Sequence, residues 1–400
     1  MKPHTLRTWI EIDPKALRHN VGEFFRLIAP ETRLMAVIKS NAYGHGLVLT
    51  AKLLAESRIM DQESKKKPHN SEFLTHDCGL WFGVDSIVEA LRLRREGIVH
   101  PILVLGFTLP ARFAEAAREH ISVSISNFDA LESWAAAGER PAIHVKLDTG
   151  MHRQGFLKKD ISRLMSVLKK KKAAPEGIFT HFASAKDAGY PTYTLVQLAE
   201  FGEAVARMEQ AGFSSMIRHA AATGGTILFP DAHLDMVRVG MGLYGYWPSQ
   251  EAKLAHAMRQ TRDRKPLLLK PVLSWKTIVG EVKKIPKGSF VGYDLTERTH
   301  RETIIAVLPI GYWHGYDRGL SSVGNVLVRN ARARVTGRVS MDMIVIDVTD
   351  IPGVRVGDEA VIMGNQGKEI ISAENLGGSI GTSAYEMLTR INPLIKRIVI

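Results

Sequence analysis

The feature that most constrains this chain is a rhythm. Apolar runs of strand length recur at 34–38, 80–84, 102–105, 121–125, 143–147, 177–179, 215–217 and 236–239, with longer amphipathic stretches between them. One such stretch, 87–95, follows the cap candidates Asp85 and Ser86, and another, 194–210, is closed by Gly212. Roughly eight strand–helix units in about 210 residues is the arithmetic of an α/β fold of the (β/α)8 type, a TIM-type barrel. A doubly wound sheet shares the periodicity and is the main competitor. The ends of the runs favour the barrel. Lys39, Asp85, Ser126, Lys146 with Asp148, His181, His219 and Arg238 all fall at or just after a strand's carboxyl end. A barrel keeps its active site on that face. So many cationic and titratable groups on one rim predict a mouth for an anionic ligand.

Beyond about residue 260 the pattern changes to short β-rich runs at 277–282, 304–307, 325–328, 334–336, 343–348 and 359–363. Turn signals such as Pro286-Lys287-Gly288 and Ile351-Pro352-Gly353 separate them. The reading is a barrel over 12–260 and a mostly antiparallel β-domain over 261–400, with 1–11 packing on the latter. A short helix is expected at 372–377. The polar segment 56–76 is expected as a surface loop or a partly disordered insertion.

Composition narrows the class. With 45% hydrophobic and 24% charged residues the chain is ordinary globular protein. No run of eighteen apolar residues is present, and the opening lacks a signal-peptide core. Cys78 is the single cysteine, so no intrachain disulfide forms. These features predict a cytoplasmic protein. The formal net charge of +12 raises nucleic-acid binding. The dense run Lys65-Lys66-Lys67 lacks interleaved aromatics and 169–172 reads as a solvated helix end, so a basic enzyme surface with no nucleic-acid partner is the reading. No Cys pair, His-Glu-x-x-His or carboxylate cluster has metal-ligand spacing.

The strongest local signal is Ala36-Val37-Ile38-Lys39-Ser40-Asn41-Ala42-Tyr43-Gly44-His45-Gly46. A buried strand ends in a lysine and runs into a Gly-rich polar turn. A lysine desolvated by the barrel mouth has a lowered pKa, which makes its amine a nucleophile toward a carbonyl cofactor. A single lysine snorkelling from a strand end is commonplace, so the whole run carries the signal.

That run closely resembles the cofactor-lysine signature of the alanine racemases. The resemblance extends over essentially the whole chain and implies a barrel followed by a β-domain, with pyridoxal 5'-phosphate held by Lys39 and its phosphate contacted by Tyr43. Lys146-Leu147-Asp148-Thr149-Gly150-Met151-His152-Arg153 resembles the family's fifth-strand motif. The family often carbamylates the lysine matching Lys146, which orients the arginine matching Arg153 toward the cofactor's phenolic oxygen and the catalytic tyrosine. His181 matches a histidine stacked behind the pyridine ring. His219 is assigned a structural role. Thr223 stands where relatives carry a phosphate-binding serine, and Ala222 replaces a common asparagine, a departure from the pattern. Arg238 matches the arginine facing the pyridine nitrogen. A guanidinium is always a donor, so that nitrogen stays an unprotonated acceptor and the cofactor is a weaker electron sink. Gly240 and Met241 would offer N–H groups to the phosphate.

In the β-domain, Tyr293 in Phe290-Val291-Gly292-Tyr293-Asp294 matches the family's opposing base. A free tyrosine has a pKa near about 10, so it needs a cation such as Arg153 to act near neutrality. Tyr312 in Pro309-Ile310-Gly311-Tyr312 would line the substrate entrance. Met341 would bind the substrate carboxylate through its N–H, with Asp342 shaping the entrance and Tyr385 contacting phosphate beside Lys39. The resemblance implies a head-to-tail homodimer in which Tyr293, Tyr312 and Met341 serve the partner's barrel. It implies an isomerase that interconverts L- and D-alanine by two-base proton transfer at Cα, supplying D-alanine for cell-wall peptidoglycan. A broader racemase of serine and other small amino acids is the alternative. A barrel decarboxylase of basic amino acids usually has a cysteine in its β-domain, which is absent here. The single-barrel pyridoxal-phosphate carriers have no second domain, whereas 140 residues follow residue 260.

Overall fold

The computed structural model describes residues 5–56, 79–258 and 265–400. Cys78, Lys65-Lys66-Lys67 and nearly all of the expected insertion at 56–76 lie outside the described residues. The chain forms two compact units. Residues 17–40 and 47–270 make one, and the segments 1–16, 41–46 and 271–400 make the other. Among the described residues no helix is long and apolar enough to cross a membrane.

An N-terminal strand, β1 (Thr8–Ile12), precedes helix α1 (Pro14–Leu27). Eight parallel strands follow: β2 (Arg33–Val37), β3 (Leu80–Val84), β4 (Ile102–Phe107), β5 (Ile121–Ile125), β6 (Ile143–Lys146), β7 (Gly177–Phe179), β8 (Ile217–His219) and β9 (Met236–Val239). Their order runs from β8 back to β2 and then to β9. Arg238 N donates to Ala221 O and Asp235 N to Arg218 O, which closes the ring between β9 and β8. This is the expected (β/α)8 barrel. Its strands are buried on both faces and therefore read as unbroken apolar runs, as in Leu80-Trp81-Phe82-Gly83-Val84. Helices start where the sequence offers caps. Ser86 accepts from Glu89 N, and Asn127 accepts from Ala130 N.

The second unit is β-rich. It continues with β10 (Leu273–Ile278), β11 (Glu281–Ile285), β12 (Phe290–Val291), β13 (Glu297–Arg298), β14 (Thr303–Leu308), β15 (Asn325–Val328), β16 (Ala331–Arg334), β17 (Ile344–Asp347), β18 (Glu359–Gln366), β19 (Glu369–Ile371) and β20 (Lys396–Val399). The main sheet has the order β16-β15-β18-β10-β1-β20, with β19 on β18, and only the β1–β20 pair is parallel. A second sheet runs β11-β14-β17. Side chains alternate in β10, where Leu273, Trp275 and Thr277 are buried and the residues between them are not. The single run expected at 277–282 is broken at Val279-Gly280 into strands of two different sheets.

Candidate active site

The residues after β2 form a turn of the wrong hand. Ser40, Asn41, Ala42 and Tyr43 have φ of 54, 56, 53 and 51°. Left-handed backbone costs an L-residue roughly 1–2 kcal/mol, so neighbouring groups must hold it. Within the β-rich unit Arg397 donates to Gly44 O at 3.0 and 2.8 Å, and the buried His45 bonds Ala42 O at 3.0 Å. At Gly44, with φ +88°, a Cβ would fall 2.2 Å from Leu388 O. Tyr43 meets the Tyr385 ring edge-on at 6.2 Å.

Lys39 opens this turn. Its side chain is 37% exposed and its Nζ lies 3.5 Å from Asp85 Oδ1. Burial therefore does not strip water from the amine, contrary to the expectation of a desolvated lysine. Asp85, just past β3, is its local partner instead.

Across the barrel, Lys146 ends β6 and is buried, donating to Gln154 Oε1 at 3.1 Å. Burial, with Arg153 and Arg238 nearby, pushes its pKa down to about 8, while Asp148 opposes the shift. Asp148 itself accepts from Gly150 N and His152 N and shapes the turn that carries Arg153, which is exposed.

Arg238, the third residue of β9, is only 3% exposed. Its Nη1 donates to His219 O at 2.9 Å and to His219 Nδ1 at 2.8 Å. Its Nη2 donates to Thr180 O at 2.7 Å and Ala220 O at 2.8 Å, with His181 Nδ1 at 3.3 Å. The fork is thus fixed by the barrel itself, and Nε–H is the donor left over among the described residues. Arg238 makes no ion pair among them, and burial pushes its pKa down to about 9. Burial and the surrounding cations, Arg238 first, hold His181 neutral with a pKa near 3. His219 is held neutral in the same way.

The bonds continue inward. His219 Nε2 is 2.8 Å from His144 Nδ1, and His144 Nε2 is 3.2 Å from Glu176 Oε2, to which Ser122 Oγ also donates. Sequence reasoning missed His144, Glu176 and Gln154. His144 was findable, because it lies two residues before Lys146 and so points to the same side of β6. Near the mouth, Thr223 Oγ1 accepts from Gly240 N at 3.1 Å. At Gly242 an added Cβ would fall 2.3 Å from a ring carbon of Phe24, so the backbone passes that ring only as glycine.

In the β-rich unit, Tyr293, Tyr312, Ser340, Met341 and Arg390 line one pocket. Tyr293 follows Gly292 (φ +77°) on a short 3-10 turn and is 68% exposed. Tyr312 N donates to Ser340 O, and Trp313 N to Met341 O. Gly311 permits this, since a Cβ there would lie 2.2 Å from Ser340 O. Asp342 is exposed beside them. Among the described residues no group of three or more His, Cys, Asp or Glu is placed to hold a metal ion.

The site is thus a (β/α)8 barrel rim that brings together a lysine, a buried donor-only arginine and neutral imidazoles. The chain belongs to the alanine racemase family. The family model for the alanine racemase N-terminal domain matches residues 12–61 and 75–248, and that for the C-terminal domain matches 272–399. An alanine racemase of Leptospira interrogans serogroup Icterohaemorrhagiae serovar Lai is 36% identical over 398 residues, covering 99% of this chain and 96% of its own. One from Symbiobacterium thermophilum is 37% identical, covering 98% and 96%. The crystal structure of alanine racemase from Bacillus anthracis with bound L-Ala-P superimposes with a TM-score of 0.85 at 31% identity, covering 98% and 95%.

Proposed function

We propose that the chain interconverts L- and D-alanine with pyridoxal 5'-phosphate on Lys39. The observation that carries this is Arg238, a buried guanidinium whose two Nη groups are spent on the barrel while Nε–H remains. A donor-only group presented this way fits an unprotonated ring nitrogen and suits no protonated one. The other residues fit the rest of the cofactor. Lys39 offers an amine to its carbonyl carbon. The hydroxyl of Thr223 and the N–H of Met241 suit its phosphate, as does the Gly240 N–H once it turns from Thr223 Oγ1, where it donates at 3.1 Å, with Tyr43 and Tyr385 as further contacts. His181, kept neutral, suits stacking against its ring. When bound, the cofactor draws electrons from the substrate's Cα and makes the Cα proton labile.

The chain's residues then divide the proton work. Lys39 removes or returns the proton on one face of Cα. Tyr293 of a second copy of the chain does so on the other, which makes the working form a head-to-tail homodimer. The pocket of Tyr312 and Met341 admits the substrate and holds its carboxylate, with Asp342 at the entrance. Arg153 favours the tyrosine's phenolate. Lys146, with a pKa near 8, keeps enough neutral amine for addition of carbon dioxide, and the resulting carbamate would orient Arg153. On the family resemblance, our reading is of a cytoplasmic reaction that supplies D-alanine to peptidoglycan. The test is direct: incubate the purified protein with L-alanine, with and without pyridoxal phosphate, and quantify D-alanine. None from folded, cofactor-loaded protein overturns the reading.

A further inference from the structure

The buried chain that begins at Arg238 runs the depth of the barrel. Arg238 lies near the carboxyl ends of the strands, and Glu176 immediately precedes β7 at the amino ends. Its two ends dictate every proton between them. A guanidinium only donates, so His219 Nδ1 must accept from Arg238. A carboxylate only accepts, so His144 Nε2 must donate to Glu176. His219 Nε2–H then donates to His144 Nδ1. One pattern satisfies all three contacts. Both imidazoles are neutral, and each N–H points from Arg238 toward Glu176. A further proton on either ring would set two N–H groups against each other.

The backbone is cut to fit this chain. A Cβ at Gly177 would fall 2.3 Å from His144 Nδ1 and 2.4 Å from Cε1, so the residue after Glu176 leaves space for the ring. Phe179 stacks on His219 at 4.7 Å with an angle of 10°, and Trp81 meets His144 edge-on. The Glu176 side chain is 30% exposed, so its charge is partly solvated at the far end.

We propose that Glu176 is the remote counter-charge and positioning residue for Arg238, fixing through His144 and His219 the donor that Arg238 presents at the barrel mouth. Only the last step, the effect on a cofactor nitrogen, rests on the function proposed above. The aligned imidazoles carry the carboxylate's influence along hydrogen bonds that polarise one another in the low-dielectric core.

The experiment uses full-length protein with 15N-labelled histidine, alone and loaded with pyridoxal phosphate labelled at its ring nitrogen. In the unsubstituted protein His144 and His219 should carry protons on Nε2 only. Glu176→Gln keeps an oxygen acceptor but removes the charge. It should move the His144 Nε2–H resonance upfield, speed its exchange, shift His219 less, and shift the ring-nitrogen signal of the loaded protein. Gly177→Ala displaces His144 with Glu176 intact and should shift the ring nitrogen too. If that variant does not fold, Glu176→Gln carries the test. A residue that merely stabilised the fold would lower the melting temperature and leave the ring nitrogen unmoved. A proton on Nδ1 of either histidine, or an unmoved His219 or ring nitrogen in loaded Glu176→Gln protein, overturns the proposal. Imidazole shifts in protein that takes up no cofactor support the chain and overturn the cofactor reading instead.

Discussion

The barrel rim and the β-domain pocket hold their functional groups by opposite means. Arg238 is locked by four short bonds to backbone carbonyls and an imidazole, and is almost wholly buried. Tyr293 stands 68% exposed on a turn held open by Gly292. The rim is thus preorganised by the chain that contains it, whereas the pocket offers exposed side chains. Removing a rim group should disturb stability as well as chemistry. Removing a pocket group should disturb chemistry alone.

Four substitutions sharpen or break this contrast. Lys39→Ala should abolish racemisation, lowering kcat by on the order of 10⁴-fold or more, as expected for a group that both holds the cofactor and moves the proton. Residual activity within tenfold of the parent would remove Lys39 from both roles. Tyr293→Phe should cost on the order of 10²–10³-fold while leaving the denaturation midpoint unchanged. It should also abolish Cα proton exchange from one enantiomer only. Mixing the Lys39→Ala and Tyr293→Phe proteins under exchange conditions should restore about one quarter of parental activity, because half the dimers are mixed and each has one intact site. No restoration would mean that both groups serve the same subunit. Arg238→Lys keeps the charge but loses the fork. It should lower stability by about 2–3 kcal/mol, read by denaturant titration, because buried carbonyls lose their donors.

The smallest effect is at Lys146. Its folded pKa, about 8, lies below its ordinary 10.5. Between those values the unfolded chain holds a proton that the folded one lacks, so this group makes stability rise with pH across that window. In carbonate-free buffer, the stability difference between Lys146→Met and the parent should therefore narrow as pH climbs through the window. A pH-independent difference would show that the amine is not desolvated in the folded state.

How much of this was legible varied by element. The apolar runs of β3, β5, β7 and β9 stand in the sequence with their observed bounds, because parallel barrel strands are buried on both faces. The run at 215–217 lay two residues early. The strand proper is Ile217–His219, and its Arg218 and His219 break the apolar signal because they serve an ion pair with Asp235 and the buried chain to Arg238. The break between β10 and β11 was missed because Gly280 sits inside an otherwise strand-like run. Lys39 and Arg238 stood out by their places at strand ends, whereas Glu176 carries no local mark and is connected only through residues distant in sequence. The left-handed turn was illegible, since none of Ser40, Asn41, Ala42 and Tyr43 is a glycine.

That turn has a consequence for the order in which the protein is made. Its four left-handed residues cost roughly 4–8 kcal/mol together at 1–2 kcal/mol each. The bonds that steady the turn at Gly44 O come from Arg397, 353 residues later in the sequence. A nascent barrel can close while the segment after Lys39 still samples ordinary right-handed backbone. The turn takes its final form only once residue 397 has been made, so a chain truncated before it should lose the left-handed turn at 41–44.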